Sequence, residues 1–209
     1  MVEKSGFYLP NRIARVLLVT LSDLMGEHGL NAALHRAGLP QYQQLLPLDN
    51  MEKVFDFADY AAVCNGVTDT YGPRGAKVFM IRAGRAGFLN GIQGFIQQYG
   101  VSLEATGKLV PLSIKLPLFL KWIARNYNET SDRLVEVKDG GNHYLYINKR
   151  CPVCWGRTIT APDCHITLGF LQEAASFISQ GGQFQIRQIS SISAGDPSCD
   201  FVIPKEPLE

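Results

Sequence analysis

Four of the five cysteines fall between residues 151 and 199, on three separate segments. The first segment is Cys151-Pro152-Val153-Cys154-Trp155-Gly156-Arg157, the second Pro162-Asp163-Cys164-His165, and the third Ala194-Gly195-Asp196-Pro197-Ser198-Cys199-Asp200-Phe201. A fold that gathers these thiols must bring a loop, a helix start and a late strand to one point. Three chemistries fit the pattern. Thiolates that include a pair at Cys-x-x-Cys spacing suit a tetrahedral metal site. Buried thiols also pack as small hydrophobes. A Cys-x-x-Cys pair can cycle between dithiol and disulfide, although in thioredoxin-like sites the first cysteine opens a helix, and here Pro162 and Cys164 take that place. An odd cysteine count, with no charged-then-apolar leader over Met1 to Tyr8, points to free or metal-bound thiols in a reducing cytoplasm.

The periodicity predicts helices first and strands later. Ile13, Val16, Leu17, Thr20, Leu21 and Leu24 recur at helical spacing behind an expected N-cap at Asn11, and that helix should end near Gly26 or Gly29. A second helix, residues 30–37, stops at Gly38-Leu39-Pro40. A third should start from Asp49 or Asn50 and bury Met51, Val54, Phe55, Ala58, Ala62 and Val63. Gly84, Gly87, Gly91 and Gly94 would line one helical face, where tight helix packing is the plainer reading and a flat ligand the sharper one. The Lys-Ser/Thr ending of a phosphate loop is missing there, as is the dinucleotide fingerprint.

Residues 115–125 read as an aromatic, basic helix, either a core helix with lysines reaching to water or one that lies on a membrane surface. The run 109–124 is too short and too charged to span a bilayer. Residues 134–138 and 143–147 alternate around Asp139-Gly140-Gly141-Asn142, a hairpin signal. A helix follows Pro162, with Ile166, Phe170, Ala174, Phe177 and Ile178 on one stripe. Residues 184–187 and 199–203 then form a second strand pair, and the tail from Pro204 should fray. Charge nearly cancels, 20 basic against 19 acidic residues, which argues against a nucleic-acid surface.

Taken together, the Cys-Pro-Val-Cys-Trp-Gly-Arg, Pro-Asp-Cys-His and Ala-Gly-Asp-Pro-Ser-Cys-Asp-Phe motifs resemble the 4-vinyl reductase-type, hydrocarbon-binding domain family over residues 130–204; residues 1–130 match only in outline. The resemblance implies a fold shared with Golgi transport (TRAPP) subunits and haem-based nitric-oxide sensors, helices packed on a twisted antiparallel sheet and often dimeric. It implies small apolar ligands, and in some members a place in phenol-responsive activators, bacteriochlorophyll synthesis or photosystem assembly. Metal-binding members hold zinc by a Cys at the helix start and a Glu-x-x-Cys-x7-Cys run on the last hairpin. Cys164 and Cys199 match, but Gln188 and Ser191 stand at the other two positions, and neither ionises to an anionic donor near neutral pH. Cys151 and Cys154 are the residues able to complete a zinc set with Cys164 and Cys199.

The resulting expectation is an α+β, TRAPP-like ligand-binding fold over residues 1–209 as a single domain, with a helical part at 1–70 and the motif-bearing core at 130–204. Its function would be to bind a hydrocarbon, fatty acyl chain or tetrapyrrole intermediate without catalysis, as a carrier or photosystem-related assembly factor with a possible peripheral-membrane partner. Phe119, Trp122, Tyr144, Tyr146, Leu168, Phe170, Phe184 and Ile186 are the expected ligand-lining residues. Leu168 and Ile186 stand where phenol-sensing relatives place polar aromatics, which favours a greasier ligand. No catalytic grouping is evident; the runner-up is an enzyme or accessory subunit of vinyl reduction on a chlorophyll precursor, which needs an electron donor. The other alternative is a dimeric interaction module, with the apolar helix 13–24 as the homodimer face. His165 is a further metal or haem candidate, more often a structural hydrogen-bonder beside a helix start. His143, in the hairpin, should be solvated.

Overall fold

The computed structural model describes residues 3–99 and 110–208, the backbone alone over 92–99. A short strand β1 (Tyr8–Pro10) leads into α1 (Asn11–Arg36), and β2 (Lys53–Asp56) returns to pair with β1 before α2 (Phe57–Tyr99). Then come α3 (Leu112–Thr130), the hairpin β3 (Leu134–Asp139) and β4 (His143–Arg150), α4 (His165–Ile178), β5 (Arg187–Gln188) and β6 (Cys199–Pro204). The four later strands form one antiparallel sheet in the order β3-β4-β6-β5. The fold is α+β, as the change of period along the chain implies. On β4 and β6 the period of two sends Tyr144, Tyr146 and Asn148, with Cys199, Phe201 and Ile203, to the buried face. No helix among the described residues is long and apolar enough to cross a membrane.

Two helices bend where glycine permits positive φ. Gly26 (φ 77°) breaks α1 where the first helix was expected to end, and the chain resumes helix to Arg36. Gly72 (φ 70°), followed by Pro73, divides α2 into arms 57–71 and 73–99. The expected third helix starts late. Residues 53–56 extend to pair with β1, so Met51 and Val54 are exposed rather than on a helix face. The cap is Asp56, not Asp49 or Asn50: its Oδ1 accepts from Ala58 N at 2.8 Å and from Ser5 Oγ at 2.7 Å. Asn11 is likewise no cap. Pro10 occupies the cap position of α1, and Asn11 Nδ2 donates to Asn50 Oδ1. The later strand pair is shorter than expected, with β5 reduced to Arg187–Gln188. The tail does not simply fray, since Leu208 N donates to Gln183 O at 2.6 Å.

Helix α2 packs against α1 and α4, and glycine lets both contacts close. A Cβ on Gly66 would stand 2.1 Å from Ala33 O of α1. One on Gly84 would stand 2.0 Å from Ile166 O, and one on Gly169 2.1 Å from Ile81 O, so the second arm of α2 and α4 cross backbone to backbone. Gly84 is therefore a packing residue. Gly87 and Gly91 meet nothing within 4 Å, so only part of the stripe serves the crossing; Gly94 lies outside the residues whose surroundings are described. Leu17, Leu18 and Leu21 of α1 are buried in the chain's own core, which accounts for the apolar face that suggested a homodimer.

Two predictions follow from these contacts. Gly84→Ala and Gly169→Ala should each destabilise by about 2–3 kcal/mol, because backbone must shift, whereas Gly87→Ala should be neutral or stabilising by about 0.5–1 kcal/mol; urea unfolding compares them. Asp56→Ala should cost about 1–2 kcal/mol as a lost cap. Burial works against the Asp56 carboxylate, yet the Ser5 and Ala58 donors outweigh it and hold its pKa below the ordinary value. Its contribution is thus complete above the ordinary carboxylate range and disappears as pH falls through the lowered folded-state value. A wild-type-minus-mutant stability difference that stays constant down that acid limb would contradict the assignment.

Candidate functional site

Each of the three cysteine segments is fixed by its own local chemistry. The loop after β4 turns tightly, with Cys154 N donating to Cys151 O and Arg157 N to Cys154 O. The Arg157 side chain, 3% exposed, pins that loop: Nε donates to Asn65 Oδ1 at 2.6 Å, Nη1 to Val153 O at 3.1 Å, and the guanidinium pairs with the Asp163 carboxylate. Asp163 adjoins Cys164, which holds the cap position of α4, and Cys164 N donates to Gln188 Oε1 at 2.9 Å. Cys199 opens β6 opposite Asn148 of β4.

The four sulfurs converge. Cys154 Sγ lies 2.9 Å from Cys164 Sγ and 3.4 Å from Cys199 Sγ; Cys164 Sγ lies 3.6 Å from Cys199 Sγ and 3.9 Å from Cys151 Sγ. All four lie within 4.8 Å of one another and all are buried. Four thiolates at about 2.3 Å from a zinc ion stand roughly 3.8 Å apart, so the spacing suits a tetrahedral ion. None of these contacts is a disulfide; the cysteines are free thiols. Donors surround them: Ile192 N to Cys199 Sγ at 3.4 Å and Ser193 Oγ to Cys154 Sγ at 3.4 Å, with Ser191 Oγ 3.4 Å from Cys154 Sγ. Contacts from Cys151, Cys164 and Cys199 push the Cys154 thiol strongly toward its anion. Gln188 and Ser191 stand beside the sulfurs: Gln188 Oε1 accepts from Cys164 N, and Ser191 Oγ approaches Cys154 Sγ. The donor set fits zinc or another thiophilic divalent ion.

The other candidates separate. Cys64 is buried on α2 outside the group, and burial pushes its thiol up to about 12. His165 also stands outside; burial lowers its pKa against the pull of Asp163. It lines, with Cys64, Thr68, Met80, Arg157 and Asp163, a cavity of about 50 Å³. That space is far below the roughly 300 Å³ of a common small-molecule pocket. His143 makes a surface contact with Asn142.

Of the expected ligand-lining residues, three meet where the second arm of α2, α3 and α4 face one another. Phe88 contacts Phe119, Phe170 and Phe177 edge-on at 5.4–6.2 Å, Trp122 stacks on Phe119 at 5.7 Å, and Tyr127 leans on Phe170 at 5.4 Å. Leu168 is partly buried against the core. Tyr144 and Tyr146 belong to the sheet, Tyr146 against Phe201 and Tyr144 beneath Lys205. Phe184 and Ile186 are buried in the segment that leads into β5. Phe88 and Tyr127 were missed. Phe88 sits in the glycine-rich run, where no aromatic stripe marks it.

No family model and no curated protein matches this chain. Solved structures do. A variant of the Cs H-NOX protein superposes with a TM-score of 0.58 at 12% identity, over 96% of this chain and 98% of that one. A mutant of the T. Tengcongensis H-NOX protein gives 0.54 at 12%, over 92% and 96%. A trafficking protein particle complex subunit 3 from Naegleria fowleri, covalently bound to palmitic acid, gives 0.51 at 14%, over 70% and 90%. At these identities the likeness shows a shared fold.

The cluster predicts about one zinc per chain by elemental analysis, since a site of four thiolates holds one ion. Cys154→Ser and Cys164→Ser should lose the ion and lower stability by clearly more than the about 1–2 kcal/mol of a packed thiol. Metal-free protein melting at one temperature with and without chelator would leave packed thiols or a redox pair.

Proposed function

We propose that this chain is a non-enzymatic module that binds a small hydrophobic ligand at the aromatic seam between α2, α3 and α4, on a frame tied by a zinc–tetrathiolate centre. The observation that carries the reading is how the seam is built. Three helices contribute rings that meet edge-on or tilted, and among the described residues α3 packs chiefly on β3 and lightly on α4. Its outer side carries Ile114 and Leu118, and the α2 arm carries Leu89, all exposed. Aromatic side chains around a separable helix give an apolar body a place to enter without breaking the sheet.

The fold neighbours support the same reading: solved H-NOX structures concern haem distortion, and the trafficking subunit carries palmitic acid. A fatty acyl chain, a hydrocarbon or a tetrapyrrole intermediate are the candidate ligands. The motif resemblance to the 4-vinyl reductase-type family favours a carrier or assembly role near chlorophyll chemistry. Vinyl reduction itself is the second reading. It draws on that resemblance, and it requires an electron donor.

Native mass spectrometry of protein purified from its natural host should recover a bound apolar molecule. Added palmitic acid or protoporphyrin should change the fluorescence of Trp122, which stacks on Phe119 inside the seam, and Trp122→Phe should remove that change. Empty protein with no uptake of either probe would overturn the proposal. Turnover of a divinyl substrate with a nicotinamide cofactor would favour the second reading.

A further inference from the structure

Three buried side-chain polar atoms among the described residues have no hydrogen-bond partner: Asp56 Oδ2, Arg133 Nε and Asn148 Oδ1. The first belongs to a carboxylate whose other oxygen already caps α2. The other two come from segments that the β3–β4 pairing brings side by side. Arg133 leads into β3, where Val135 pairs with Asn148 of β4. Tyr146 lies two residues before Asn148, on the same buried face.

Arg133 carries its charge without a close carboxylate among the described residues. It makes no ion pair among the described residues. Its guanidinium carbon stands 4.3 Å from the centroid of the Tyr127 ring. Tyr60, Tyr146 and Cys151 are the other groups whose charge would act on it, two phenols and a thiol. Tyr60 and Tyr146 are 3% and 1% exposed. A ring face offsets part of the cost of desolvating a guanidinium. The buried Nε remains without a partner, and buried donors are as a rule paired. A guanidinium edge with a free Nε presents two parallel donors, the fork that a carboxylate fills. The phenols can donate to the same anion, and a flip of the Asn148 amide would turn its free oxygen end into a donor.

The cage also adjoins the apolar seam. The Tyr127 ring that carries the guanidinium leans on Phe170 at 5.4 Å, and Phe170 meets Phe88 at 5.4 Å. We infer that Arg133, with Tyr60, Tyr127, Tyr146 and Asn148, seats the carboxylate of an amphipathic acid whose apolar body lies in the aromatic seam. The inference rests on the ligand-binding reading and narrows its ligand class to acids.

The test compares palmitic acid, hexadecanol and methyl palmitate on the full wild-type chain, read by calorimetry or Trp122 fluorescence. The three probes share one hydrocarbon body, so their difference reports the headgroup alone. The acid should bind at least about tenfold more tightly than the alcohol or ester, the scale of a charged hydrogen bond. Arg133→Gln should bring the acid down to the level of the alcohol and leave alcohol binding within about threefold. The wild-type preference does not depend on how that variant folds. Equal affinity for acid and alcohol in the wild type would overturn the acid seat while the apolar seam stands. Binding of none of the three would overturn both.

Discussion

The C-terminal half depends on the convergence of four sulfurs contributed by segments up to 48 residues apart, Cys151 to Cys199. Each segment would otherwise be a loose end: a loop leaving β4, a helix start and the first residue of β6. A structural ion couples such segments because its binding free energy is available only when all ligands are in place. The polypeptide prepares that coupling without the ion. Arg157 reaches from the cysteine loop to Asn65 of α2 and to Asp163 beside Cys164, so one buried side chain registers the N-terminal helices, the loop and the helix start together. Ser193 and the Ile192 amide aim donors at the sulfurs, contacts that would stabilise thiolate ligands of a bound ion.

The helical half is positioned by an opposite device, the removal of side chains. Gly84 and Gly169 face each other's helices at distances no Cβ could occupy, and this lets the α2 arm and α4 cross closely enough for Phe88 to reach Phe170 and Phe177. Among the described residues no glycine brings the backbone of α3 against α2 in this way. It stands against β3 and completes the aromatic group with Phe119 and Trp122. One wall of the group is thus joined by close backbone contact, while among the described residues the other packs mainly on β3.

Much of this was legible in the residues. The hairpin around Gly140-Gly141 and the helix after Pro162 follow directly from a change of period, and the cysteine spacing named the group that the fold gathers. Local pattern failed where pairing at a distance took over. Residues 51–55 carry apolar spacing compatible with a helix, but β1 supplies a strand partner, and Asp56 rather than Asn50 becomes the cap. Of the expected lining residues, Phe119, Trp122 and Phe170 lie together because they share the helix junction, while Tyr144, Tyr146, Phe184 and Ile186 take places on or beside the sheet. Arg133 had no sequence signal. A single arginine before a strand is ordinary, and only the fold reveals that its Nε lacks a partner.

The cysteine group and the residues beside Arg133 are linked through one strand pair. β4 carries Tyr146 and Asn148 on its buried face and then runs within a few residues into Cys151. Asn148 is paired directly with Cys199, and Tyr146 with Phe201, across the β4–β6 ladder. A ladder register cannot slip by one residue without sending both Tyr146 and Asn148 to the outer face. Anchoring Cys151 and Cys199 in the same sulfur group removes that freedom at the end of the ladder nearest Asn148. The cysteine group therefore helps set the placement of Tyr146 and Asn148 through strand register.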